Sequence, residues 1–441
     1  MSKRYAIVGT SGRSVSYIDA ILDRHAAHAE LVGFCDINQS RMDWHNARVK
    51  ERHDAGPIPT YAASDFEKML DEQRVDTAIV ITTDSVHHEY IVRAMDAGRD
   101  VICEKPMTID APKAREIFEA IERTGRELRV TFNYRYAPIC TQVREMIKGR
   151  AIGQPLAVQF QWMLNTAHGA DYFRRWHATK ANSGGLLVHK ATHHFDLVNW
   201  WIDSYPELVY CLGDLKFYGK ANAEARGERY DYERYTGSGH EETDPFALDL
   251  ASEDGLKGLY LDAEQHDGYI RDRNVFGDHV DIEDTIALTA RYRSGVVLSY
   301  CLLAYCPWEG MKVAVTGTKG RIEVSDLHGG HIIAGQSDEE LAAEQGEGAN
   351  QEVKVYPMFK PAYTVDLVAP EGGHGGGDNL LMDDILSPER GPDPLGRAAS
   401  HVDGAASILM GIAANESIRT GQPILTDSLL KLPAKDAVGA V

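Results

Sequence analysis

Tyr5-Ala6-Ile7-Val8-Gly9-Thr10-Ser11-Gly12-Arg13 is the stretch that decides the fold of the first third of the chain. Four apolar residues running into Gly9 read as a buried parallel strand. The glycines behind them read as a turn whose backbone can approach a pyrophosphate at a helix N-terminus. The match to the dinucleotide fingerprint is partial. Ser11 stands where the second glycine is usual, and Ser14 or a later residue stands at the third. A helix is expected from about Val15 to His25. The next apolar run, Leu31-Val32-Gly33-Phe34-Cys35, ends on Asp36. That spacing suits a carboxylate taking the adenosine ribose hydroxyls. A carboxylate there repels a 2′-phosphate and so favours NAD over NADP. Arg13 is a second phosphate contact in this reading and leaves NADP open.

Outward from this turn, apolar runs and amphipathic segments alternate. Helices are expected at Asn38–Lys50, after an N-cap at Ser64, at His88–Ala97 with a stop at Gly98, and at Ala111–Thr124 with a stop at Gly125. Strands are expected at Thr77–Ile81, Val101–Cys103 and Leu128–Phe132. The alternation predicts a parallel sheet covered on both faces. Beyond Tyr136 the strands lengthen (Phe160–Leu164, Ile286–Tyr292, Val296–Leu303, Lys312–Thr316), with turn chemistry at Ser294-Gly295 and Thr318-Lys319-Gly320. The fold class is therefore α/β. An N-terminal Rossmann domain over 1–135 is followed by an α+β substrate-binding and oligomerisation domain over 136–441, with a large, mostly antiparallel open sheet. Two polar stretches with weak periodicity, 219–277 and 329–377, read as long loops of the kind that form lids, oligomer arms or disordered segments. Val402 to Arg419 returns to a strong helix.

The chain has 441 residues, enough for two domains. Its 46 basic and 66 acidic residues give a net charge of −20, which excludes nucleic acid and anionic membranes as partners. No 18-residue apolar run and no signal peptide after Met1-Ser2-Lys3-Arg4 are present, and the six cysteines form no CxxC pair. A cytoplasmic protein with buried thiols is expected.

The chemistry concentrates in two further segments. Cys103-Glu104-Lys105-Pro106, together with Thr82-Thr83-Asp84-Ser85-Val86-His87, resembles the glucose–fructose oxidoreductase / inositol dehydrogenase / rhizopine-catabolism (Gfo/Idh/MocA) family. The resemblance runs from Tyr5 to Asn415-Glu416-Ser417-Ile418-Arg419-Thr420-Gly421. It implies a Rossmann domain followed by an α/β domain whose open sheet often mediates oligomers, here a homodimer or homotetramer. It also implies that Glu104 and Lys105 approach the nicotinamide ribose and the reacting hydroxyl. Pro106 shapes that turn, and Thr82, Asp84 and His87 line the cofactor. Thr83 replaces the usual proline and Asp84 the usual asparagine. A lysine beside a hydroxyl suits proton handling, because desolvation or a nearby cation lowers its pKa.

Gly184-Gly185-Leu186-Leu187-Val188-His189-Lys190-Ala191-Thr192-His193-His194-Phe195-Asp196 resembles the family's nicotinamide-facing helix. His193 matches its catalytic histidine and Asp196 its later aspartate. His189 stands where many members carry aspartate, and Ala191 replaces a glycine. On one helix His189 and His193 share a face. A neutral-pH base for a hydroxyl proton suits His193. His189 lacks a fixed negative charge and either orients substrate or tunes His193. The i, i+4 spacing also admits a metal, with Asp278, His279 or His374 as a third ligand, although the resemblance implies a metal-free site. His194 and Asp196 also read as helix-stabilising residues, and Trp200-Trp201 as core. Softer substrate contacts are Tyr134, Arg135, Arg174, Arg175, Trp176, His177 and Lys180. Arg135 also lies beside the expected cofactor.

The expected function is hydride transfer between nicotinamide and a ring hydroxyl of a sugar, glycoside or cyclic polyol. Lys105 and His193 handle the proton and His189 serves as a third group. An alternative is a glycoside hydrolase that oxidises transiently, eliminates the aglycone and re-reduces, with no net cofactor turnover. A non-catalytic sensor is a third reading, opposed by the intact Glu104-Lys105-Pro106 and His193.

Overall fold

The computed structural model describes residues 2–329, 350–369, 373–388 and 391–433. The chain divides into two compact units. The first comprises 1–136, 250–271 and 371–405, and the second 137–249, 272–370 and 406–441. Two later segments therefore return to the first unit, an arrangement that a single division at 135/136 does not contain.

In the first unit, strands β1 (Lys3–Val8), β2 (Ala29–Asp36), β3 (Thr60–Ala62), β4 (Thr77–Val80), β5 (Asp100–Cys103) and β6 (Leu128–Val130) pair in parallel. The order β6-β5-β4-β1-β2-β3 places the topological switch at β1, where ligands of such sheets bind at the carboxyl ends. Helices α1 (Ser14–Leu22), α2 (Gln39–His53), α3 (Phe66–Glu72), α4 (His87–Asp96) and α5 (Ala111–Thr124) connect them. Asn38 and Asp110 cap α2 and α5 through their side chains, and Gly125 ends α5 at φ +66°. Ser64 does not cap α3. A 3-10 turn, Ala63–Asp65, precedes that helix and no side chain caps it. The late helix Gly377–Leu386 buries Leu381, Met382, Ile385 and Leu386 in the core formed by Tyr5, Ile7, Tyr17 and Ile21. At about 1.5–3 kcal/mol per buried side chain, these four rival the net stability of a domain, so the segment is integral to the unit.

The second unit holds β7 (Pro155–Asn165), β8 (Pro206–Asp214), β9 (Thr285–Tyr292), β10 (Val297–Cys306), β11 (Glu309–Gly317), β12 (Gly320–Gly329), β13 (Asn350–Pro357) and β14 (Tyr363–Thr364). The strand pair β15 (Ala399–Ser400) belongs to the first unit and lies antiparallel on β6, while β16 (Ile424–Leu425) pairs with β8. Among the described residues the sheet runs β14-β13-β12-β11-β7-β10-β9-β8-β16, with only β7 and β10 parallel. Alternate residues such as Val158, Phe160, Trp162, Leu298, Tyr300 and Leu302 are buried, as expected of a sheet covered on one face. Part of the polar stretch 329–377 lies outside the described residues, and β13 and β14 fall within the rest. The stretch 219–277 is organised rather than loose. It contains short helices and buries Tyr235, Leu250, Ala263, Val275 and Phe276.

Candidate active site

The carboxyl ends of β1, β2 and β5 carry the first group of candidates. Gly9 follows β1 at φ +89°, and a Cβ there would lie 2.6 Å from the Ile81 carbonyl oxygen, so only glycine fits. Asp36 ties this turn to β2. Its Oδ2 accepts from Thr10 N (2.6 Å) and Thr10 Oγ1 (2.8 Å), and its Oδ1 from Asn38 N (2.9 Å). His45 on α2 holds the other side, with Nε2 2.9 Å from Thr10 O and 3.1 Å from Ser14 Oγ. Burial pushes the His45 pKa down to about 4, so the ring is neutral at physiological pH. Sequence reasoning passed over His45, whose only signal is its place on the buried face of α2.

Arg13 does not point away as a loose phosphate contact. Its Nε donates to Glu104 Oε1 (2.6 Å), and its Nη2 lies 3.1 Å from Asp378 Oδ1. Tyr17 OH also donates to Glu104 Oε1 (2.9 Å). Burial alone would raise the Glu104 pKa. The Arg13 and Lys105 charges outweigh it and hold the carboxyl below its usual range. Asp378 further accepts from Asn133 Nδ2 (2.8 Å) and lies 2.8 Å from His374 Nδ1. The Tyr134 ring packs against His374 at 5.9 Å. Asp378 and His374 were not foreseen as neighbours of Glu104, because 274 residues of chain separate Asp378 from it. Lys105 precedes Pro106 through a cis peptide bond. His87 pins this turn to the next. Its Nδ1 meets Pro106 O and its Nε2 meets Thr82 O, each at 2.9 Å. Asp84 is buried in the 3-10 turn Asp84–Val86, and Thr82 and Thr83 precede it. Arg135, expected at the cofactor, is instead buried against the chain, with Nη1 on Gly396 O (3.2 Å) and Nη2 3.4 Å from Asp403. It anchors the returning segment.

The residues present fit a dinucleotide. Asp36 terminates β2, the Gly12 amide faces a hydroxyl rather than a backbone acceptor, and Arg41, whose Nη1 lies 3.9 Å from Asp36, has a buried Nη2 with no hydrogen-bond partner among the described residues. A buried unpaired donor costs about 1–3 kcal/mol, which a bound ligand relieves.

The second unit carries the histidines. Gly184 and Gly185 adopt φ +69° and +78°, which explains the paired glycines before the short helix Leu186–His189. The helix expected to run on from His189 breaks at Lys190, and Ala191–Trp201 starts anew. His193 N bonds Lys190 O, a tightened i to i−3 turn, so the simple i, i+4 face shared by His189 and His193 does not apply. Every residue of Ala191–Trp201 is buried, including His193, His194, Asp196 and Asn199. His194 is a core residue. It stacks on Trp162 (4.4 Å) and meets Tyr300 OH at 2.8 Å. Trp201 donates to Cys140 O (3.0 Å), as core packing requires.

His189 lies among rings, with His177 at 4.1 Å, Tyr172 at 5.6 Å and Trp176 at 5.7 Å between centroids. Tyr172 OH is 3.0 Å from His168 Nε2, and His168 Nδ1 is 2.6 Å from Glu309 Oε1. Burial opposes ionisation of Glu309, but the bond to His168 outweighs it and lowers the pKa. His168, Tyr172 and Glu309 were missed. The i, i+4 spacing of His168 and Tyr172 on the helix Thr166–Arg174 was their one signal. Arg175 is held by Asp171 (2.8 Å), and Lys180 by Glu283. Among the described residues no group of three or more His, Cys, Asp or Glu is arranged to hold a metal. His279 instead meets Phe173 O (3.0 Å), and Asp278 pairs with Lys220. No described helix is long and apolar enough to cross a membrane.

Comparison with known proteins matches residues 3–132 to the oxidoreductase-family NAD-binding Rossmann fold and residues 144–426 to the same family's C-terminal alpha/beta domain. The chain belongs to the Gfo/Idh/MocA oxidoreductase family. A member named as an oxidoreductase, YteT of Bacillus subtilis, is 33% identical over 98% of this chain and 99% of its own. The inositol 2-dehydrogenase/D-chiro-inositol 3-dehydrogenase of Lactiplantibacillus plantarum is 23% identical over 42% of this chain and 49% of that protein. The solved WlbA dehydrogenase of Bordetella pertussis, in complex with NADH and UDP-GlcNAcA, superposes with a TM-score of 0.64. It is 18% identical over 98% of this chain and 100% of its own, a likeness of fold. The Gfo/Idh/MocA assignment makes this protein an NAD-binding dehydrogenase.

Proposed function

We propose that the protein oxidises a ring hydroxyl of a sugar, glycoside or cyclic polyol, with NAD as hydride acceptor. One observation carries this reading: Glu104-Lys105-Pro106 leaves β5 on the same sheet rim as the Gly9–Arg13 turn and Asp36, and Arg13 bonds Glu104 directly. Phosphate turn and proton-handling lysine thus belong to one connected network. Bound NAD supplies the hydride acceptor. Lys105 takes the hydroxyl proton as the hydride leaves, His193 serves as the second proton-handling group, and Glu104, fixed by Arg13 and Tyr17, orients the lysine backbone through its bond to Lys105 N (3.1 Å). Within the second unit Tyr172, Trp176, His177 and His189 offer aromatic walls for a ring, with Arg175 as a polar contact. Tyr134 is the substrate contact proposed from the first unit. A related protein is named for inositol oxidation and another was solved with a nucleotide sugar, both cyclic polyhydroxy compounds.

A second reading, NAD-dependent glycoside cleavage, draws support from the Glu309–His168–Tyr172 chain beside His189. Elimination and water addition need an acid/base set beyond that of oxidation. A panel of inositols, aldoses and aryl glycosides separates the two. Dehydrogenation accumulates NADH in step with product, whereas cleavage releases aglycone with no net NADH. The exposed Tyr210, Leu212, Val297 and Tyr356 on the uncovered sheet face support a homodimer or homotetramer.

A further inference from the structure

The segment 250–271 lies far along the chain but packs in the first unit, on the α2 side of the cofactor turn. Four independent contacts seat it. Tyr260 OH takes the Gly12 amide at 3.2 Å. Asn38, wholly buried after β2, donates through Nδ2 to Ala263 O (2.9 Å) and Asp267 Oδ2 (3.0 Å). Arg41 Nε donates to Leu259 O (3.0 Å). Gly258 lies so close to Trp44 that a Cβ would come within 2.2 Å of its ring.

Asp267 matters most. Its Oδ2 lies 2.7 Å from Arg41 Nη1, and Arg41 Nη1 lies 3.9 Å from Asp36 Oδ1. All three side chains are at most 9% exposed. Arg41 is the cation that a 2′-phosphate would meet at the end of β2. With Asp267 in place the cluster holds two carboxylates and one guanidinium, a net charge of −1. Without it the net charge is zero and a guanidinium fork is released. In such a dry setting the difference acts on a phosphate with little screening. A neutral ribose pays no such repulsion and gains as a donor the buried Arg41 Nη2, which has no hydrogen-bond partner among the described residues.

We propose that 250–271 is a built-in cofactor clamp and that its Asp267, by engaging Arg41, is a determinant of NAD over NADP selection. This rests on the NAD preference read from Asp36 and adds a second residue to it. The test is direct titration of the purified protein with NAD and with NADP, followed by calorimetry or protein fluorescence. Asp267→Asn keeps the hydrogen-bonding shape and removes the charge. It is expected to lower the ratio of the NADP to the NAD dissociation constant about tenfold. Arg41→Gln added to Asp267→Asn is expected to reverse that gain. Arg41→Gln alone leaves two carboxylates and no cation, and is expected to raise the ratio above that of the unmutated protein. This variant decides the matter if Asp267→Asn loses NAD as well. An unchanged ratio in Asp267→Asn with NAD binding retained, or an unchanged or lower ratio in Arg41→Gln, overturns the role of Asp267. Equal binding of NAD and NADP by the unmutated protein overturns the NAD preference itself.

Discussion

The network around Glu104 and the ring cluster around His189 solve opposite problems. In the first, fixed charges answer each other: Arg13 is met by Glu104 and Asp378, and Glu104 by Arg13 and Tyr17. Both carboxyls are held below their usual range, so the network keeps its charges across the neutral region. In the second, histidines and aromatic rings contact one another, and Glu309 is the carboxylate bonded to His168. The difference teaches that one region is built on ion pairs and the other on ring contacts. A rigid ion-paired cradle suits a cofactor and a lysine that must hold their places.

Four variants break or sharpen that contrast. Lys105→Ala is expected to lower kcat by about a thousandfold or more, the range of a lost proton-transfer group, with NAD affinity within a few fold of wild type. Steady-state kinetics with NAD titration checks it, and near-normal turnover removes Lys105 from the mechanism. His193→Ala is expected to cost about a hundredfold in kcat, the range of a lost proton-transfer group. Steady-state kinetics checks it, and near-normal turnover would remove His193 from the mechanism.

Asp378→Asn tests the cradle. Burial raises the Asp378 pKa, but the bond to His374 and the Arg13 charge outweigh it and leave the carboxyl well below the usual range. A depressed acid stabilises the fold above its unfolded pKa and loses that contribution as pH falls toward the folded value. The variant is expected to be less stable by about 2 kcal/mol at pH 7, with the gap shrinking below about pH 4. Urea unfolding at several pH values measures both, and a gap that is constant with pH contradicts the account. Smallest of the four, Asp36→Ala is expected to narrow the NAD-over-NADP preference about tenfold in binding titrations. No change would leave discrimination to other residues.

The same contrast governs what was legible in the sequence. Apolar runs from Tyr5 to Val130 and the stop at Gly125 announce the parallel sheet, because local periodicity and capping are properties of short stretches. The open sheet followed from the longer strands that became β7, β9, β10 and β11 and from the turns between them, while β8 was not foreseen. What the sequence hid travels through long-range polar contacts. Segment 250–271 packs through bonds such as Asn38 Nδ2 to Ala263 O, which leave no apolar period. Arg135 reads as a site residue by position, yet Asp403 claims it from 268 residues away. The break at Lys190 follows the two left-handed glycines and is invisible to a count of four between His189 and His193. Polar stretches therefore carry more of this protein's architecture than their composition suggests.

Under the proposed function, hydride passes from a ring carbon to nicotinamide with net turnover. Substrate identified in the panel is deuterated at the oxidised ring carbon and converted with excess NAD, and the nicotinamide is examined by mass spectrometry. Hydride transfer places one deuterium in each NADH formed, with one NADH for each oxidised product. Product formation with the deuterium retained in the sugar and no accumulated NADH would contradict it.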